Sequence, residues 1–243
     1  MLALYHAGPS TCSQKVRLVL AEKGLDWEDK ALNFQRRDHL SDWYLALNPN
    51  GVVPTLVHDG AVITDSSVIA EYLDDIHPEP ALRPADPVGR AHLRAWRQFI
   101  DEVPTTAIRY PSFNAFVLRI WAHLSDEEFL AYVDGMPLRK KLYRRIKDRS
   151  GFGKEDIDVA LDDLRMTLAR MDKALTGNDW LVRNQFSLAD TALTPTIVRM
   201  QDLGLTWMWD ALPRVAGWYE RVQSRPSFAK TYYPGTRELS PAC

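Results

Sequence analysis

The chain has 243 residues, of which 46% are hydrophobic and 26% charged, and a formal net charge of −2. This is ordinary globular composition, and nothing in the bulk charge favours a nucleic acid or a membrane surface as partner. No apolar run approaches the ~18–20 residues of a membrane-spanning helix, and the start, Met1-Leu2-Ala3-Leu4-Tyr5, lacks the basic stretch of a secretory signal. The two cysteines, Cys12 and Cys243, lie at opposite ends of the chain, so no disulfide framework is expected and a reducing, cytoplasmic setting fits. The six histidines are scattered, with none paired at metal-ligand spacing, so no metal site is expected.

Residues 1–78 read as alternating strand and helix. Leu2 to His6 is a short strand, ended by Gly8-Pro9. Ser10 to Lys23 is helical, with Val16, Leu18, Val19 and Leu20 apolar and Gly24 as the cap. Asp26 to Leu32 alternates weakly as a second strand, and His39 to Leu47 is a short helix. Val53 to Val57, an Asp59-Gly60 turn and Ala61 to Ile63 make a hairpin. Ser66 to Ile76 is a helix with Val68, Ile69, Tyr72 and Leu73 on its apolar face. The order is βαβαββα. Within it, the Val53-Pro54 step interrupts an apolar run where a central strand would exclude proline. A turn with a cis bond before Pro54 reconciles the two. It would leave the N–H and C=O of Val53 unpaired at a sheet edge, open to an extended peptide.

Prolines at 78, 80, 84 and 87 mark a stiff linker. From 88 to 243 the chain reads as all helix. Gly89 to Val103 is one helix. Ser125-Asp126-Glu127-Glu128 is a capping box. Ile157, Leu161, Leu164, Leu168, Met171 and Leu175 form a single-face stripe suited to a core. Ser187-Leu188-Ala189-Asp190 opens a helix to about Leu203, and Pro213 opens the last one, stopping near Arg225-Pro226.

Ser10, Thr11, Cys12 and Ser13 cluster where the first helix begins. One hydroxyl suffices to cap it, so the surplus suggests a donor to a ligand thiolate. Ionising a thiol of ordinary pKa near ~8.5 at neutral pH takes about 2.7 kcal/mol. A hydrogen bond to a charged group supplies roughly 1.5–3 kcal/mol and a helix N-terminus about 0.3–1, so no histidine base is needed. Cys12 has no Cys-x-x-Cys partner, which disfavours a dithiol site. Asp65-Ser66 reads equally as a helix cap or as a holder of a carboxylate and an ammonium. His39 alone reads as a surface histidine. The run Arg139, Lys140, Lys141, Arg144, Arg145, Lys147 and Arg149 reads as a solvated helix face. Trp96, Tyr110, Phe113, Phe116, Trp121, Trp207, Trp209, Tyr232 and Tyr233 read mostly as core, with some free to line an aromatic pocket.

With those residues assembled, the chain resembles the cytosolic glutathione transferases over essentially its whole length. Ser10-Thr11-Cys12-Ser13, Asn48-Pro49 with Val53-Pro54, and Asp65-Ser66 match the glutathione domain. Ser187-Leu188-Ala189-Asp190 matches the helical domain. The resemblance implies an α/β thioredoxin-like domain over 1–78 and an all-α domain over 88–243 that contributes the substrate pocket. It implies glutathione as co-substrate, a homodimer, and Ser10 as the activating hydroxyl, with Thr11, Cys12 and Ser13 beside it. Val53, Pro54, Asp65 and Ser66 would bind glutathione, and His39 would contact its glycine carboxylate. Ser10 to Arg17 also looks like the zeta-class signature, except that Gln14 replaces the usual tryptophan. His39 to Trp43, Leu82 to Pro87, Ser125 to Phe129, Gly151-Phe152 and the insertion over 111–153 are similar to the bacterial glutathione-dependent β-etherases. The expected second substrate is therefore a hydrophobic aromatic electrophile such as a β-aryl ether. The alternatives are a Cys12-dependent thiol reductase or zeta-like isomerase, and a non-catalytic binding scaffold.

Overall fold

The protein is described as a computed structural model covering residues 1–146 and 148–237, so Cys243 and Lys147 lie outside the described residues. Strand β1 (Leu2–His6) pairs parallel to β2 (Glu28–Ala31) and antiparallel to β3 (Thr55–His58), which turns back into β4 (Ala61–Thr64). The resulting sheet has the order β2-β1-β3-β4. The β3–β4 turn places Asp59 at φ 49° and Gly60 at φ 87°, the positive-φ pair that a two-residue hairpin requires. β2 is shorter than the expected Asp26–Leu32. Its charged residues face solvent, as suits an edge strand.

Helix α1 (Thr11–Lys23) is capped by Ser10, whose Oγ accepts from the Ser13 N–H, and ends at Gly24 in the left-handed region. Its apolar residues are buried as expected, but so are Gln14, Lys15 and Arg17. The helix is enclosed between α3 (Ser66–Ile76) on one side and the later α11 (Leu188–Asp202) and α13 (Pro226–Thr231) on the other. Its buried cations are accordingly satisfied: Arg17 donates to the Gly8 carbonyl at 2.9 Å, and Lys15 to the Ser67 hydroxyl at 2.9 Å and Asp101 at 2.7 Å. On α3 the buried face is Ile69, Ala70 and Leu73. Val68 is 53% exposed, a correction to the expected face, because it points away from the sheet.

The stretch expected as one helix over His39–Leu47 divides into a single turn at Asp38–Leu40 and α2 (Asp42–Leu47). α4 (Pro87–Glu102) starts earlier than expected, because Asp86 caps it and Pro87 takes the first helical position. Short segments follow: α5 (Pro104–Ala107), α6 (Arg109–Ser112), a π-turn at Phe113–Val117 and α7 (Leu118–Ile120). Then come α8 (Asp126–Asp134), whose Ser125–Glu128 capping box is complete, α9 (Lys140–Arg144) and α10 (Lys154–Ala174). α11 follows its own capping box, α12 spans Pro213–Gln223, and α13 comes after it. Arg225-Pro226 is therefore a restart and not the end of the last helix: the proline occupies the first turn of α13, where its missing N–H costs nothing.

One hydrophobic core runs from Leu4 and Val16 through Ile69, Leu93 and Leu164 to Leu193 and Trp218, joining the sheet half to the helical half. A second, aromatic cluster contains Phe113, Trp121, Phe129, Tyr132, Tyr143 and Phe152 and organises the insertion. A small third one, Ala7, Leu32, Tyr44 and Val53, underlies the turn before β3. Among the described residues, no helix is long and apolar enough to cross a membrane.

Candidate active site

A cleft of about 150 Å³ opens between the start of α1, the turn before β3 and the aromatic insertion. Ser10, Thr11, Cys12, His39 and Val53 line it together, so residues far apart in sequence share one wall. Ser13 does not. It is fully buried, and its Oγ accepts from the Ala7 N–H at 3.3 Å, which corrects the expectation that it joins the catalytic group.

The turn is built from beneath. Tyr44 Oη donates to the Val52 carbonyl at 2.7 Å, and the buried Asn48 amide donates to the same carbonyl at 2.9 Å and to Thr55 Oγ1 at 3.0 Å. Burial raises the Tyr44 hydroxyl to about 12, so it stays a neutral donor. The Val53–Pro54 bond is cis. The Val53 N–H and C=O make no hydrogen bond with any described residue. Gly51 sits at φ 60°, and a Cβ there would meet Leu40 at 2.9 Å and Pro137 at 3.0 Å, so the loop tolerates only glycine where it passes the insertion.

Asp65 and Ser66 do not line the cleft. Asp65 is exposed at φ 71°, a strained region for a non-glycine residue, and caps α3 by accepting from Ser67 N at 2.8 Å and Val68 N at 3.1 Å. The pairing of Thr55 with Thr64 nevertheless brings Asp65 opposite Pro54, along the same edge as Val53. This corner is clamped. Ser67 Oγ donates to Asp101 at 2.5 Å while accepting from Lys15, and Arg97 binds the Ser67 carbonyl and Glu71. This clamp was not foreseen, because its members come from three helices.

His39 is not a surface residue: it is 5% exposed, wedged edge-on against Phe34 and Tyr132, with Nε2 at 3.2 Å from the Tyr132 hydroxyl. With Tyr132 donating, the proton resides on Nδ1, which has no partner among the described residues. Burial lowers its pKa to about 4, with Asp38 opposing and Arg139 adding to the shift. Between pH 6.5 and about 4 the unfolded imidazole binds a proton that the folded one refuses, so stability falls as pH falls through that window. The loss is expected to approach about 3 kcal/mol. Urea titrations across pH 4–7 check it: His39→Gln should flatten the slope, leaving the part due to His6, which burial also lowers.

The insertion supplies the facing wall through Phe113, Trp121, Tyr132 and Tyr143, with Ile108 and Met136. Phe113 and Trp121 were among the pocket candidates from the sequence; Tyr132, Tyr143 and Phe34 were not, because the segment's short helices carry no readable period. Arg139 corrects the solvated-face reading of its basic run: it lines the cleft, while Lys140 and Arg144 pair with Asp134, Arg145 with Asp156 and Arg149 with Asp126. Arg109 and Arg199 line the cleft too and were not foreseen.

The family model described as the glutathione S-transferase N-terminal domain matches residues 9–76, and that of the C-terminal domain matches residues 129–221. Protein LigF of Sphingobium sp. strain SYK-6 is 32% identical over 98% of this chain and 95% of its own. The crystal structure of that β-etherase superposes with a TM-score of 0.87 at 33% identity, covering 95% of this chain and 98% of its own. Maleylacetoacetate isomerase of Pseudomonas aeruginosa is 30% identical over 99% of this chain and 100% of its own. Tetrachloro-p-hydroquinone reductive dehalogenase of Sphingobium chlorophenolicum is 27% identical over 93% and 94%, respectively. The chain therefore belongs to the glutathione S-transferase family.

Proposed function

We propose that this transferase lays glutathione along the open edge at Val53 and aims its thiolate, held by Ser10, at a carbon of a hydrophobic aromatic electrophile. The carrying observation is that an unpaired backbone edge and a hydroxyl at a helix N-terminus share one cleft. The N–H and C=O of Val53 suit the cysteinyl backbone of a peptide added as a strand. The start of α3, with Ser66, suits the γ-glutamyl carboxylate, and Asp65 its ammonium. The unpartnered Nδ1–H of His39 suits the glycine carboxylate. Residues 1–78 would thus hold glutathione, and residues 88–243 the second substrate.

Ser10 Oγ accepts from Ser13 N, leaving its own hydrogen free to donate to a thiolate. The likeness to the β-etherase supports a β-aryl ether as electrophile. In that reaction a carbon–sulfur bond forms as the carbon–oxygen bond breaks, and the electron pair leaves on the aryloxide, which takes a proton from water. Catalysis rests on activating and positioning a bound nucleophile. The family also supports a homodimer in a reducing cytoplasm, which sedimentation of the purified protein checks for assembly. The Asp65→Ala, Ser66→Ala double variant is expected to weaken glutathione binding at least about tenfold by calorimetry, the loss of one or two charge-assisted hydrogen bonds. Unchanged affinity would remove that corner from the site.

One observation favours a second reading. Cys12 lines the same cleft within electrostatic reach of Arg109, as a thiol-dependent reduction would need. That reading has Cys12→Ser abolish turnover while Ser10→Ala spares it.

A further inference from the structure

Three guanidinium groups line the cleft, those of Arg109, Arg139 and Arg199, and among the described residues no aspartate or glutamate does. Arg199 is accounted for: it donates to the Pro9 carbonyl at 2.7 Å and lies 3.7 Å from Asp202. Arg109 and Arg139 differ, since neither forms an ion pair with any described carboxylate. Both line the one cleft, and the charge of Arg139 acts on that of Arg109. Burial and then Arg139 lower Arg109 to about 10, which leaves it charged at neutral pH but in a poor environment for its charge. Around them stand Phe113, Trp121 and Tyr143. The half-buried Arg139 shares a hydrogen bond with the Tyr143 hydroxyl, which offers it no countercharge. Whereas Lys15 and Lys23 are answered by Asp101 and Asp74, Arg109 and Arg139 meet no described carboxylate, and the pair stands out as a place for an anion supplied from outside.

We infer that Arg109 and Arg139 form a binding site for a carboxylate carried by the aromatic second substrate, making acidic aromatic electrophiles the preferred class. The inference rests on the cleft being the transferase site proposed above. A planar guanidinium fits a carboxylate with two parallel hydrogen bonds, and aromatic walls accept the ring to which it is attached. The glycine carboxylate of glutathione presents the same chemistry, so the two sources must be separated.

A matched pair does this: 4-chloro-3,5-dinitrobenzoate and its methyl ester, in which the glutathione thiolate displaces chloride as the carbon–sulfur bond forms. In the wild type the acid is expected to show a KM at least about tenfold below that of the ester, as for a charge-assisted bond. The same preference should appear without glutathione, as quenching of tryptophan fluorescence in binding titrations. Arg109→Met with Arg139→Met should abolish the preference while glutathione affinity by calorimetry stays within twofold, and Arg109→Lys should retain part of it. Equal or better binding of the ester by the wild type overturns the proposal. So does a double variant that keeps the preference but loses glutathione, which would assign the pair to glycine. Absence of any glutathione binding by the wild type would instead sink the transferase reading, and the binding titration would still decide the carboxylate site.

Discussion

Asp190→Ala is expected to lower the thermal midpoint by about 6–12 °C, the equivalent of roughly 3 kcal/mol in a chain of this size. Asp190 is fully buried and accepts four hydrogen bonds: Ser187 N at 3.0 Å, Ser187 Oγ at 2.9 Å, Leu181 N at 3.1 Å and Trp218 Nε1 at 2.8 Å. Burial pushes its carboxyl up, and the four donors oppose that push. Removing the acceptor strands buried donors, at a total cost of about 3 kcal/mol. It also loosens the start of α11, which packs on α1 and so on the cleft. The equivalent box at Ser125 is exposed, and Ser125→Ala should cost only about 1 kcal/mol. Differential scanning calorimetry of the two variants checks the contrast. Similar losses at both sites would mean that the Asp190 network carries no more than an ordinary cap.

Ser10→Ala should reduce kcat/KM about 10–100-fold and abolish the ultraviolet thiolate band of bound glutathione at neutral pH, the effect of one hydrogen bond to a charged acceptor. Because Ser10 also caps α1, about 1 kcal/mol of stability should go with it. Ser10→Thr separates the two roles by keeping a hydroxyl, and should restore most of the band. A band that survives Ser10→Ala would transfer the activating role to Thr11, Cys12 or the helix dipole, while binding without a band in the wild type would favour a scaffold.

Most elements of the N-terminal half were legible because their signals are local, while β2 and the divided stretch over 38–47 departed from expectation. Gly24 ends α1, Asp59-Gly60 turns the hairpin, and the proline after Val53 marks the open edge. Both Ser-x-x-acid boxes cap the helices they announce. What escaped notice depends on tertiary arrangement. His39 lies buried because the insertion folds over it through Tyr132. Ser13 and Ser10 are three residues apart on one turn, yet only Ser10 reaches the cleft. Arg139 belongs to a run in which Lys140, Arg144, Arg145 and Arg149 find carboxylates at the surface, and only the fold separates it from them. Arg109 follows a proline-broken stretch with no period from which to infer a face.

The separation of the aromatic insertion from the main core has a bearing on how this protein can diversify. The residues that organise the thiol end of the cleft are anchored in the large core and in the small cluster under Val53, whereas Phe113, Trp121, Tyr132 and Tyr143 belong to a cluster of their own, bridged to the large one by Tyr110. Exchanges at Phe113, Trp121 or Tyr143 can reshape the electrophile's side of the cleft and leave the nucleophile's side in place, whereas Tyr132 is tied to His39. New substrates are thus open to the lineage through a part of the chain whose repacking does not put the whole fold at risk.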